Sequence, residues 1–124
     1  RDRDGFVWGQ SSGCMVLEAA ALDVMSYATI VGAATVLDAN RSADPNVHGE
    51  VLSMQKALRE AGLLPSDIQY INTHGSGSTL GDETELEAIS QVFTEAIQDI
   101  WLNATKAIVG HGLWSAGIVE AIAT

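Results

Sequence analysis

The chain is poor in the residues that most often announce a function. It has one cysteine, three histidines and six basic residues among 124, and no long apolar run. Each scarcity excludes something. A lone thiol, Cys14, can close no internal disulfide and has no second thiol for a metal cluster, which fits a reducing cytoplasm. Arg1, Arg3, Arg41, Lys56, Arg59 and Lys106 are the only cations, and the net charge is −10. That leaves no basic stripe to neutralise phosphates, so nucleic acid is not an expected partner. No apolar stretch approaches the length a bilayer demands, so no membrane span is expected either.

What is present is 47% hydrophobic and 18% charged residues, the make-up of one globular domain with a core. The excess of acid serves solubility. Lys56 and Arg59 lie three apart on one expected helix, the smallest unit of a basic spot. Neither end reads as a domain edge. Arg1-Asp2-Arg3-Asp4-Gly5 runs straight into an apolar strand, and Thr124 falls in mid-helix, so the chain is expected to be a piece of something larger.

Periodicity gives a coarse map. Short apolar runs at 5–9 and 13–18, separated by Gln-Ser-Ser, read as two strands or one bulged strand. Residues 27–37, rich in β-branched and small side chains, predict another strand, and the Asn, Ser, Asp and Pro cluster at 38–49 a loop. Val51, Met54, Leu58 and Ala61 recur at helical spacing over 50–61, and Gly62 is placed to end that helix. A buried strand at 68–72 leads to His74. A helix from Glu83 carries Leu86, Ile89, Val92, Phe93 and Ile97 on one face, a strand at 100–103 leads to Lys106, and a third helix opens at 110–112. Alternating helices and strands predict a mostly parallel sheet covered by helices, in which ligands bind beyond the carboxyl ends of the strands.

Two of the three histidines occupy glycine-bounded turns at those strand ends: His74-Gly75-Ser76-Gly77-Ser78, and His111 between Gly110 and Gly112. Glycine lets a backbone approach a ligand closely and adopt angles other residues avoid. A neutral imidazole held there can donate to a carbonyl oxygen as negative charge builds on it. Either histidine alone would read as a loop cap. The pair, together with Lys106, reads as chemistry on an acyl group.

In chain order, Asp2-Arg3-Asp4-Gly5-Phe6-Val7, Asn72-Thr73-His74-Gly75-Ser76, Gly81-Asp82 with Glu85, and Lys106 with Gly110-His111 resemble the β-ketoacyl synthases of fatty acid and polyketide biosynthesis. The resemblance runs over essentially all of the chain. It implies an α/β, thiolase-like fold present in part, with 1–40 the end of the N-terminal ketosynthase half and 41–124 a truncated C-terminal half. It implies that His74 and His111 polarise the thioester carbonyl of a malonyl-carrier protein, with Lys106 paired to an acid at Glu85. Ser76 and Ser78 stand where the family has threonines and keep a hydroxyl for the pantetheine arm. No metal is implied, and no cofactor beyond the phosphopantetheine arm carried by a partner acyl carrier protein. The full-length enzyme is expected to be a cytoplasmic homodimer.

The departures are informative. Leu113-Trp114-Ser115-Ala116-Gly117 stands where the family continues with Gly-Ala-Ala-Gly, so Trp114 is expected to reshape the acyl pocket. Gln10-Ser11-Ser12-Gly13 replaces a Gly-Glu-Gly-Ala style turn. With the stretch from Gly81 to Glu85 and Trp101-Leu102-Asn103, these features resemble the ketosynthase-like decarboxylases of polyketide β-branching cassettes, which convert malonyl- to acetyl-carrier protein without condensation. A condensing synthase is the rival on the same fold, and a non-catalytic binding module the rival of another class. The family's nucleophile lies upstream of these residues and its gating loop downstream, so the active site is expected to be incomplete here.

Other side chains have plainer readings. Cys14, in the apolar run Cys-Met-Val-Leu, is expected to pack as a small hydrophobe. Trp8 and Trp101 are expected in the core, His48 on a polar loop, and Glu83 and Glu87 on a solvated face. His74, His111 and Asp82 match no compact metal-ligand spacing. The glycosylation-like triplets at Asn40 and Asn103 read as chance matches.

Overall fold

A strand–helix–strand crossover forms the frame on which the histidines sit. The computed structural model describes residues 5–19, 25–38 and 44–124. Asp2, Arg3 and Asp4 of the first motif, Arg1, Arg41 and Asn40 lie outside the described residues. Strands β1 (Tyr70–Asn72) and β2 (Trp101–Asn103) pair in parallel, with Ile71 opposite Leu102. Helix α2 (Thr79–Phe93) and a 3-10 turn (Thr94–Asp99) make the connection between them. Helix α1 (Val47–Ala61) precedes the pair; α3 (Lys106–Val109), a 3-10 turn (Leu113–Ser115) and α4 (Ala116–Ala123) follow it.

Caps decide where the helices start. Asn46 accepts from the His48 N–H at 2.9 Å, so α1 begins at Val47 and His48 lies in its first turn, exposed, rather than in a loop. Ser78 accepts from Gly81 N–H at 3.2 Å and starts α2 at Thr79 instead of 83. Gly62, at φ 69°, closes α1 in the left-handed conformation that glycine adopts without strain. The apolar faces expected of the two helices meet: Ile89, Val92 and Phe93 of α2 pack against Val51, Met54 and Leu58 of α1 and Ile71 of β1. Leu86, expected on the same face, is 45% exposed.

Three expected strands are not strands here. Residues 5–9 contribute only a parallel bridge between Trp8 and His111, and 13–18 none. Residues 31–37 keep the alternation of a strand, with Gly32, Ala34 and Val36 half-buried between exposed neighbours. They lie along α1 rather than in a sheet: Ala33 N–H donates to Glu60 at 3.1 Å, and the Ser53 hydroxyl donates to Ala34 O at 3.5 Å. A strand is completed by a neighbour's backbone, and helix side chains satisfy only scattered groups. The same lack of a neighbour leaves Trp8 69% and Trp101 79% exposed, and Cys14 exposed too, where packing was expected. No helix among the described residues is long and apolar enough to cross a membrane.

Ile89 is the largest fully buried side chain among the described residues, at 1% exposure. Ile89→Ala should lower stability by roughly 3 kcal/mol, from lost burial plus the cavity left at the α1–α2 contact, as read by equilibrium denaturation.

Candidate active site

The turn after β1 is held by two charged side chains from different elements. Glu85, on α2, accepts the His74 N–H at 2.6 Å on one carboxylate oxygen and the Gly75 N–H at 2.9 Å on the other. Lys106, the first residue of α3, donates through Nζ to the His74 carbonyl at 2.7 Å. Both backbone polar groups of His74 are therefore fixed by ionised partners, the stronger class of hydrogen bond. Gly75 turns at φ 43°, and a Cβ there would lie 2.6 Å from that of Ala104, so glycine is required for sterics as well as for angle.

The expected Lys106–Glu85 pair is corrected by this arrangement. Lys106 forms its salt bridge with Glu120 of α4, and the side chains are 3% and 19% exposed. Glu85 is occupied by two amides. The physical reason is burial: an enclosed ammonium needs an anion on its own side of the turn, and α4 supplies it. The sequence held a signal for this. Glu120 is the one charged residue of α4, in the otherwise apolar run Ala-Gly-Ile-Val-Glu-Ala-Ile-Ala. A second acid missed from sequence is Glu50, in the first turn of α1. Burial first, then the charges of Glu85 and Asp38, hold its carboxyl above the usual carboxylate value.

His111 reaches the same place from another direction. Its N–H donates to Val7 O at 2.8 Å and its carbonyl accepts from Gly9 N–H at 3.0 Å, tying it to the N-terminal segment. Gly9 and Gly110 cross so closely that a Cβ on Gly110 would lie 2.9 Å from the Gly9 Cα. The His111 and His74 rings stand edge to face with centroids 5.1 Å apart, and Phe6 lies 5.0 Å from His111 on another side. Nδ1 of His111 accepts the Leu113 N–H at 3.0 Å. The proton of the neutral ring must then be on Nε2, which becomes a donor. Burial, then the neighbouring His74 and Lys106, push this imidazole below its ordinary value against an opposing pull from Glu120. The ring is thus a neutral donor rather than a cation.

Ser76 and Ser78 fall in the same loop, their hydroxyls 3.2 Å apart, with Ser76 also accepting the Ser78 N–H at 3.3 Å. Asp82 closes the loop by accepting the Gly77 N–H at 3.1 Å. Trp114 is not brought to the imidazoles; its side chain is fully exposed. No group of three or more metal-ligating side chains occurs among the described residues.

The family described as "Beta-ketoacyl synthase, C-terminal domain" matches residues 27–124, and the chain belongs to it. It is 47% identical over 126 aligned positions to the polyketide biosynthesis malonyl-ACP decarboxylase PksF of Bacillus subtilis (strain 168), covering 98% of this chain and 30% of that protein. It is 41% identical over 126 positions to 3-oxoacyl-[acyl-carrier-protein] synthase 2 of Staphylococcus aureus, covering 97% and 31%. Among solved structures it superposes with a TM-score of 0.69 and 29% identity on a type II ketosynthase complex, AntDE:AntF, whose acyl-carrier protein is bound to its ketosynthase; 76% of this chain and 24% of that one are covered. The fold is therefore the thiolase-like fold of ketosynthases. The chain spans about 30% of the length of the relatives it matches.

Two measurements check this geometry. Glu120→Ala, which leaves the buried Lys106 ammonium without its anion, should cost about 3 kcal/mol in equilibrium denaturation, toward the range for breaking a buried pair. His111 should titrate by NMR with a midpoint below the ordinary imidazole value of about 6.5. The sign follows from the folded state binding this proton less readily than the unfolded. His111 costs the fold nothing above pH ~6.5 and opposes it as the pH falls below that value.

Proposed function

We propose that this chain supplies the carbonyl-activating part of a ketosynthase-family enzyme that decarboxylates malonyl-carrier protein to acetyl-carrier protein. The observation that carries the reading is the imidazole pair, 5.1 Å apart, with Nδ1 of His111 already occupied so that Nε2–H is the donor. Loss of carbon dioxide breaks the bond between the α carbon and the carboxylate. Its electron pair moves into the thioester to form an enolate, whose oxygen carries the new charge. Donors aimed at that oxygen act only as charge develops, which lowers the barrier rather than merely binding substrate. The α carbon then takes a proton from solvent. A non-catalytic module would have no use for a fixed ring tautomer.

The 47% identity to a malonyl-ACP decarboxylase supports this choice over condensation. The second reading, a condensing synthase, is favoured by the 41% identity to 3-oxoacyl synthases. Trp114, uncovered three positions past His111, is the side chain to which we assign the narrowing of the acyl chamber against long chains, and Ser76 and Ser78 take the pantetheine arm. An acyl carrier protein as partner, a homodimeric full-length enzyme and a cytoplasmic location belong to the same proposal. The bound carrier protein of the AntDE:AntF complex supports the first of these.

In the full-length enzyme, His74→Ala or His111→Ala should lower carbon dioxide release from malonyl-carrier protein about a hundredfold, the usual effect of removing one such donor. Mass spectrometry of the carrier protein gives the product. Acetyl-carrier protein as the main species supports decarboxylation; a β-ketoacyl product formed with an acyl-primed partner would assign the chain to condensation.

A further inference from the structure

The bond that fixes the His111 tautomer depends on an unfavourable backbone. Leu113 donates to Nδ1 from φ 51°, in the left-handed region that a branched side chain avoids. Something beyond that single hydrogen bond must hold the turn. Gly112, the residue between, offers a carbonyl that accepts twice from Ser115, from its N–H at 3.2 Å and from its hydroxyl at 3.0 Å. The Ser115 Oγ also lies 3.0 Å from Ser11 Oγ. Each hydroxyl has one proton. With that of Ser115 given to Gly112 O, the link from the N-terminal segment is Ser11 donating to Ser115. A Cβ on Gly112 would lie 2.5 Å from both oxygens, so the two hydroxyls press against its bare Cα.

Ser11 is placed for this by the backbone bonds just before it. Val7 O and Gly9 N–H take the two backbone bonds of His111, and the Ser11 hydroxyl makes the next contact along that segment, to Ser115. The next rung of a parallel ladder would use the Leu113 N–H, which has turned away to the imidazole. A side-chain hydroxyl takes the third contact instead.

We propose that Ser11 and Ser115 are positioning residues. They form a hydroxyl relay that holds Gly112 and Leu113 in place and so keeps His111 as the Nε2–H tautomer. Its value to catalysis rests on the carbonyl-donor reading of His111, but the tautomer can be observed without any reaction.

The test is long-range 1H–15N NMR of the full chain labelled at histidine, where only His48, His74 and His111 contribute. His48→Gln and His74→Gln assign the signals. The wild-type His111 ring should report Nε2–H. Ser11→Ala and Ser115→Ala should each shift the tautomer ratio toward Nδ1–H by about fivefold, the ratio corresponding to one ordinary hydrogen bond. Ser11→Thr, which keeps a hydroxyl, should hold the wild-type ratio. Ser12→Ala, at the exposed neighbouring serine, should change nothing. An unaltered ratio in both alanine variants would overturn the relay, as would an equal shift in Ser12→Ala. In the full-length enzyme, Ser11→Ala should lower kcat for carbon dioxide release with little change in KM. A shifted ratio with unchanged kcat would uphold the relay and count against the donor role given to His111.

Discussion

A lysine ammonium removed from water sets the terms for everything around it. Lys106 is almost fully enclosed, and a charge in that position is tolerable only where anion and carbonyl partners converge on it. Glu120 from α4 and the carbonyl of His74 meet that demand. Three elements adjacent in space but separate in sequence are thereby pinned to one atom: the turn after β1, the start of α3 and the middle of α4. The pair need not stabilise the fold in net terms to have this effect, because its value lies in excluding other arrangements.

The division of labour between the two acids then makes chemical sense. Glu120 neutralises the lysine, which leaves Glu85 to receive the amides of His74 and Gly75. Had Glu85 been drawn to the ammonium, the first histidine would sit on a turn with free amides and a softer backbone. The second histidine is ordered by a different means, through neutral backbone and ring contacts with residues 6–9. One imidazole is thus positioned by charge and the other by packing and main-chain pairing.

Much of this was legible in the sequence because the signals were local. Helical spacing in α1 and α2, the apolar runs of β1 and β2, and glycines flanking His74 and His111 each speak through a few neighbouring residues. The caps at Asn46 and Ser78 were equally local, yet the hydrophobic period alone does not see them, so both helices begin earlier than it suggests. What could not be read was pairing across distance. The acid that answers Lys106 lies on a later helix, and the choice between Glu85 and Glu120 turns on which side of a buried ammonium faces α4. The strands expected at 13–18 and 27–37 failed for a related reason. Alternation tells a segment which face to bury, as Gly32, Ala34 and Val36 still do, but not whether a backbone neighbour is there to receive it.

The Ser11–Ser115 contact spans 104 positions, and the Trp8–His111 bridge nearly as many. Contacts so far apart in sequence form only after a long loop has closed, and the closure entropy must be met before they return anything. The crossover from β1 through α2 to β2 joins nearer neighbours and can assemble first, with the His74 turn already on it. During synthesis the segment around residues 7–11 leaves the ribosome some 104 residues ahead of the partner it needs. The setting of His111 therefore follows that of His74, and the interval between the two is when the edge along residues 7–11 is exposed to mispairing.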